Sequence, residues 1–188
     1  LRRRAAAIIA PQGGGNHWAR FASGIPSAKA ETAPRRERVE PIRLEFTSPL
    51  SATPAQVWDW IRSVRGVTAE MRPLFRMGFP AGALVLDDGE IELGKPLFRS
   101  PLYLLGLIPV GHSDVSFSSW SPGLGFVEQS AMTGMRSWRH ERTITPIARG
   151  CALTDVLKFE PVFARRLTRM MIRRFFKHRH AVLRKRLG

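Results

Sequence analysis

Residues 138–161 read WRHERTITPIARGCALTDVLKFEP, and residues 162–188 continue VFARRLTRMMIRRFFKHRHAVLRKRLG. In the first stretch, alternating side chains run up to a turn signal at Pro146–Gly150 and resume beyond it, as two paired strands do. The second stretch holds no Gly or Pro between Val162 and Leu187, so it reads as a long helix to about Arg186. A hairpin that delivers the chain directly into a long terminal helix points to an antiparallel sheet packed on that helix.

A hairpin loop of Pro146–Arg149 sets Thr145 opposite Gly150 and His140 opposite Asp155. Side chains alternate between the faces of a strand, so Trp138, His140, Arg142, Ile144, Cys151, Leu153, Asp155 and Leu157 share one face, the core side. Arg139, Glu141, Thr143, Thr154, Val156 and Lys158 share the other. Continuing across a tight Thr133-Gly134 turn places Gln129 opposite Trp138 and adds it to the inward face. An unpaired buried polar group costs about 1–3 kcal/mol, so these inward polar side chains must pair. Three readings stay open for His140 and Asp155: a structural hydrogen bond inside a core, a polar anchor in a ligand cavity, or an acid–base dyad. For the last, no Ser or Cys in a nucleophile setting accompanies them.

On the helix, Phe163, Ala164, Leu167, Met170, Met171, Phe175, Ala181 and Val182 fall in one apolar stripe, expected to face the sheet. Arg166, Arg169, Arg173, Lys177, His180 and Arg184 form a basic stripe, and Ile172, Phe176 and Leu183 a smaller apolar strip. The basic stripe reads either as a solvated face or as a surface for anionic lipid, phosphate or nucleic acid.

Working back toward the start, Ile42, Leu44 and Phe46 alternate with Arg43, Glu45 and Thr47 as a half-buried strand. Thr53 and Pro54 open a helix carrying Val57, Trp58 and Ile61, and a second short helix is expected over Thr68–Met77. After a Gly78–Gly82 loop, further strands are expected near 83–86, 90–93, 97–108, 112–120 and 125–132, with turns at Asp87-Asp88-Gly89 and Ser121-Pro122-Gly123. Residues 1–39, with Gly13-Gly14-Gly15 and no sustained apolar period, read as a basic leader ahead of a domain at 40–188. A linker or upstream extension, a transit signal and an export signal all remain open for this leader.

The chain of 188 residues is 44% hydrophobic and 24% charged, the balance of an ordinary globular protein. Its net charge of +15 is uneven: residues 1–40 hold 8 Lys/Arg against 3 acids, residues 41–157 hold 11 of each, and residues 158–188 hold 11 against 1. The neutral middle and the single Tyr argue against sequence-specific reading of nucleic acid. The longest uncharged apolar run, Ser100–Ser113, is interrupted by Pro101 and Pro109, so no membrane-spanning helix is expected. One cysteine, Cys151, excludes an intramolecular disulfide and a Cys-built zinc site. His178 and His180 lack helical ligand spacing, and Gly13-Gly14-Gly15 and Gly123-Leu124-Gly125 lack phosphate-loop contexts, so neither metal nor cofactor is expected.

Residues 41–187 resemble the SRPBCC superfamily of helix-grip domains, which includes START-like, Bet v 1-like and polyketide cyclase/dehydrase groups. The resemblance rests on Ser51-Ala52-Thr53-Pro54-Ala55-Gln56-Val57-Trp58-Asp59-Trp60-Ile61, Trp138–Arg142, Gly150–Asp155 ahead of Phe159-Glu160-Pro161, and Phe176–His180. It implies an α+β fold: a curved antiparallel sheet of about seven strands around the long terminal helix, with two short helices after the first strand. It also implies a cavity for a small hydrophobic ligand such as a lipid, sterol or polyketide. The inward faces above would line that cavity with Trp58, Phe117, Gln129, Trp138, His140, Leu153, Asp155, Phe163, Leu167, Met170 and Met171. The primary expectation is a cytoplasmic binding or transport protein for such a ligand. A cyclase/dehydratase using His140 and Asp155 is the alternative, although no cyclase residue set maps onto the chain. A further alternative is docking on an anionic membrane surface, or on nucleic acid, through Arg166, Arg169, Arg173, Lys177 and Arg184.

Overall fold

In the computed structural model, residues 40–86, 89 and 91–188 are described; the leader 1–39, and Asp87, Asp88 and Glu90 of the expected turn and strand, lie outside them. The chain enters through β1 (Ile42–Leu50), whose alternation buries Ile42, Leu44, Ser48 and Leu50. Thr53 then caps α1 (Pro54–Arg62) in a reciprocal box: its hydroxyl accepts from Gln56 N at 3.3 Å, and Thr53 N donates to Gln56 Oε1 at 2.9 Å. Ser63 ends α1 and starts α2 (Val64–Met71) with one hydroxyl, donating to the Trp60 carbonyl at 2.8 Å and accepting from Gly66 N at 2.9 Å.

The second helix stops at Met71, short of the expected Met77, because Arg72 precedes Pro73 and adopts an extended backbone. Phe75–Met77 instead form β2, paired with β3 (Pro96–Leu104). The expected strands at 83–86 and 90–93 reduce, among the described residues, to a single bridge between Val85 and Ser63. Then follow β4 (Ile108–Ser121), β5 (Gly125–Glu128), β6 (Ala131–Met132), β7 (Met135–Pro146), β8 (Cys151–Pro161) and α3 (Arg165–Leu187). Neighbouring strands run antiparallel in the order β1-β8-β7-β5-β4-β3-β2, with β6 pairing β4 beside this path. The result is a curled antiparallel half-barrel with the long helix after it, the helix-grip arrangement of an α+β domain.

The β7–β8 loop is indeed four residues long, but it comprises Ile147–Gly150, so Pro146 pairs with Cys151, Arg142 with Asp155 and His140 with Leu157. Gly150 belongs to the loop because its backbone is left-handed (φ +87°), a conformation that closes a turn and does not fit a paired strand. The shift is two residues, so every side chain stays on its expected face. Between β5 and β7 the correction is a single residue: Glu128, not Gln129, turns inward opposite His140, and Gln129 is exposed. The expected 125–132 strand breaks at Gln129–Ser130, where Gln129 N donates to the Ser116 carbonyl and the pairing passes to β6.

The terminal helix is rotated from its expected setting. Phe175, Phe176, Arg179, His180 and Leu183 are buried, while Phe163, Leu167, Met170 and Met171 are 71%, 52%, 61% and 37% exposed. The expected basic stripe included His180, and no stripe claimed Arg179; Asp155 and Glu70 in the core draw both in. No helix among the described residues is long and apolar enough to cross a membrane.

Two apolar clusters form the interior. One joins Ile42, Leu44, Trp138, Leu157, Phe159, Phe175 and Phe176; the other joins Leu50, Val57, Trp58, Ile61, Ile144, Cys151, Leu153 and Leu183. Gly150 sits where a Cβ would lie 2.0 Å from the Leu50 carbonyl, whereas Gly123, also at positive φ, has open space around it. Gly150→Ala is therefore expected to lower stability by more than about 1 kcal/mol, and by clearly more than Gly123→Ala, in chemical denaturation followed by circular dichroism.

Candidate functional site

A cavity of about 150 Å3, open at its mouth, lies between the sheet, α2, α3 and the loops after β2. Its wall is largely apolar: Val67 and Met71 of α2, Phe98 and Leu102 of β3, Val115 and Phe117 of β4, Phe126 of β5, Met132 of β6, Trp138 of β7, and Ile172, Phe175 and Phe176 of α3. Glu128, His140, Arg142 and Arg179 form its polar side.

Behind that polar side, a connected ionic cluster joins β5, β7, β8, α2 and α3. Asp155 of β8 is fully buried and accepts from Arg142 Nε and Nη2, both at 2.7 Å, from His140 Nε2 at 2.9 Å and from His180 Nε2 at 3.1 Å. Glu70 of α2, also fully buried, accepts from Arg142 Nη1 at 3.0 Å, Arg179 Nη2 at 2.8 Å and Trp60 Nε1 at 3.1 Å. Arg142 thus bridges two carboxylates, and Arg179 lies over the Phe176 ring at 4.9 Å. The His180 ring is held on its other nitrogen by Ser48 Oγ at 2.8 Å, and that hydroxyl accepts from Arg184 Nη1 at 2.8 Å. His140 Nδ1 faces Glu128 Oε2 at 3.4 Å, and Ser130 Oγ donates to the other Glu128 oxygen at 2.7 Å.

These partners set the charge states. Burial pushes the Asp155 carboxyl up, but the charges and hydrogen bonds of Arg142 and His140 outweigh it and hold the group well below the usual carboxylate range. Burial likewise opposes ionisation of Glu128, and the hydrogen bond and charge of His140, with the Ser130 hydroxyl, bring it below its ordinary value. Burial works against the Arg142 charge, and Asp155 and Glu70 more than compensate, so it stays protonated.

The residues expected to line a site distribute as follows. Phe117, Trp138 and His140 stand in the cavity wall. Asp155 lies behind His140, and Trp58 and Leu153 belong to the second apolar cluster. Gln129, Phe163, Leu167, Met170 and Met171 face outward, with Glu128 in the place expected for Gln129. The expected pairing of His140 with Asp155 occurs, diagonally across the strand pair rather than directly opposite. Sequence reasoning missed Glu70, Glu128 and Arg179. Nothing local marks Glu70, which stands in a short amphipathic helix, whereas Glu128 was one register step away.

The fold has solved counterparts. A protein from Rhodobacter sphaeroides superposes with a TM-score of 0.56 at 16% identity, covering 76% of this chain and 89% of its own. Protein CV1439 from Chromobacterium violaceum gives 0.55 at 14% identity, covering 76% and 97%, and TTHA0849 from Thermus thermophilus gives 0.53 at 13%, covering 78% and 95%. At these identities the likeness is one of fold. No curated protein matches the chain. Residues 48–187 match the family described as "Domain of unknown function (DUF8410)".

The cluster makes two testable demands. Glu70→Ala leaves Arg142 and Arg179 without their shared carboxylate, an expected loss of about 3–5 kcal/mol in denaturant titration. Glu160→Ala, which removes the partly exposed Arg136 pair, costs at most about 1 kcal/mol. Asp155 and Glu128 both titrate lower in the folded chain than their unfolded values of about 3.9 and 4.3. Their contribution is complete above that range and disappears as pH falls through it toward the folded values. Thermal melts from pH 7 to 2 are expected to fall more steeply below about pH 4 in the unaltered chain than in Asp155→Asn.

Proposed function

Because the chain belongs to the DUF8410 family, whose description carries no activity, we propose its function from the cavity: binding, and by extension transport, of a small hydrophobic molecule such as a lipid or polyketide, in the manner of the SRPBCC superfamily. The observation that carries this reading is the contrast within one cavity between its apolar wall and a polar side whose charges are already paired. Apolar burial, worth roughly 25 cal/mol per Å2, supplies the affinity. Arg142 and Arg179 are engaged by Asp155 and Glu70, so an anionic occupant finds little free countercharge, and a largely neutral molecule suits the site. Trp138 and Ser113, both wall residues, carry buried polar atoms without a partner among the described residues, Nε1 and Oγ.

The cyclase/dehydratase alternative asks His140 to exchange a proton with an occupant while Asp155 orients it. Both of its ring nitrogens face carboxylates, Glu128 and Asp155. This favours a positioning bridge over a freely exchanging acid or base.

Titration with N-phenyl-1-naphthylamine, a neutral fluorescent lipophile, is expected to saturate at one site. Leu102→Trp and Met77→Trp, which fill the wall, weaken it by roughly tenfold with unchanged melting temperature. Leu124→Trp, on an exposed residue outside the cavity, leaves it unchanged. Binding that never saturates, or that ignores the filling substitutions, overturns the reading.

A further inference from the structure

Two groups of large apolar side chains remain in water, and both lie at one end of the domain. The first is the β3–β4 hairpin tip: Leu105, Leu107, Ile108 and Val110 are 57%, 83%, 54% and 41% exposed. The second is the approach to α3 and its first turns, with Val162 and the outward-turned Phe163, Leu167, Met170 and Met171. Backbone hydrogen bonds connect them through the β6–β7 turn: Thr133 N donates to the His112 carbonyl at 3.0 Å, and Val162 N to the Gly134 carbonyl at 2.9 Å. On the helix, Leu167, Met170 and Met171 follow the three-and-four spacing of one stripe, and Arg166, Arg169 and Arg173 run along its flank. Arg166, Arg169, Arg173 and Arg174 have no hydrogen-bonding or ionic partner among the described residues. Residues 161–188 contain no Asp or Glu.

We propose that this end of the domain docks on an anionic lipid bilayer, with the hairpin tip and the outward stripe of α3 entering the interface and the flanking arginines meeting lipid phosphates. Leu84, Val85, Leu93, Leu124 and Ile147 are exposed elsewhere, but nine of the exposed large apolar side chains among the described residues gather on these two neighbouring segments. The combination of an apolar stripe with an adjoining unpaired cationic stripe is the physical requirement for interfacial binding. Charge complementarity selects the occupant: a second copy of this chain would bring the same unpaired arginines against these. Nucleic acid would use the arginines and leave the apolar groups in water. The inference goes beyond ligand binding and does not require it. The same segments nonetheless carry cavity-wall residues on their inner faces, Leu102 of β3 and Ile172 and Phe175 of α3, so docking sets that wall close to lipid.

The test is vesicle flotation of the full chain with phosphatidylcholine vesicles and with vesicles containing phosphatidylglycerol at about 30%, at low and high salt. Expected is recovery with the anionic vesicles at least about tenfold above the neutral ones, reduced but not abolished by salt. A triple variant, Leu107→Asn with Phe163→Asn and Met170→Asn, loses this recovery by about tenfold or more at low salt. Arg166→Gln with Arg169→Gln and Arg173→Gln loses it similarly. All six positions are exposed, so unchanged melting temperatures exclude unfolding, and residues 1–39 with their charge are untouched, so a loss belongs to this end. Lys185→Gln with Arg186→Gln, at the far end of α3, leaves recovery unchanged. Equal recovery on both vesicle types, no recovery on either, or an asparagine variant that binds as well as the unaltered chain overturns the proposal. So does binding to duplex DNA that matches vesicle binding and is indifferent to the apolar substitutions.

Discussion

The Asp155–Arg142–Glu70 chain of ion pairs is the constraint on which the arrangement of this domain turns. Arg142 is buried and cannot shed its charge, so wherever it goes, two carboxylates must follow. Asp155 is its neighbour across the β7–β8 pair, and Glu70 comes from a short helix 72 positions earlier. Arg179 closes on the same Glu70 from the terminal helix. The cluster therefore acts as a positional lock: sheet, α2 and α3 can meet in only one rotation if all four charges are to be paired. An apolar core of the same volume would often be as stable. We infer that the ionic version sets which face of α3 is inside.

The rotation has consequences at both surfaces of the helix. Inward, Phe175, Phe176 and Ile172 close the cavity from one side, with Arg179 beside them already neutralised. Outward, the same rotation leaves Leu167, Met170 and Met171 in solvent beside arginines whose side chains have no partner among the described residues. One packing decision thus produces an apolar cavity with compensated charge and an exposed apolar stripe with uncompensated charge. A helix with the opposite setting would have hidden the stripe and taken Arg179 away from Glu70.

The cavity itself depends on the sheet not closing over it. Bulges interrupt the β3–β4 and β4–β5 ladders, and the β5–β6 break at Gln129–Ser130 redirects the pairing of β4. These irregularities curl the sheet around the helix and keep Glu128 turned toward His140 instead of solvent.

Local chemistry was legible in the chain. The Thr53-Pro54 helix start, the strand alternation of Ile42 to Phe46 and the inward face of the last hairpin all follow from neighbours a few residues apart. The hairpin faces survived a register shift because the shift was two residues and the strand period is two. What failed were inferences that cross a discontinuity or weigh polarity without knowing the partner. A one-residue difference in register beside the Gln129–Ser130 break exchanged Gln129 for Glu128. The helix stripe was chosen by hydropathy, which counts Arg179 and His180 as outside; Glu70 and Asp155 make burial of those groups favourable. Glu70 meets Arg142 and Arg179 only after the chain has folded back on itself. Strand faces and caps were thus determined by local sequence, because their energetics are local. The setting of α3, the paired wall of the cavity and the exposed end were decided by tertiary structure, because a buried charge takes its place from a partner distant in the chain.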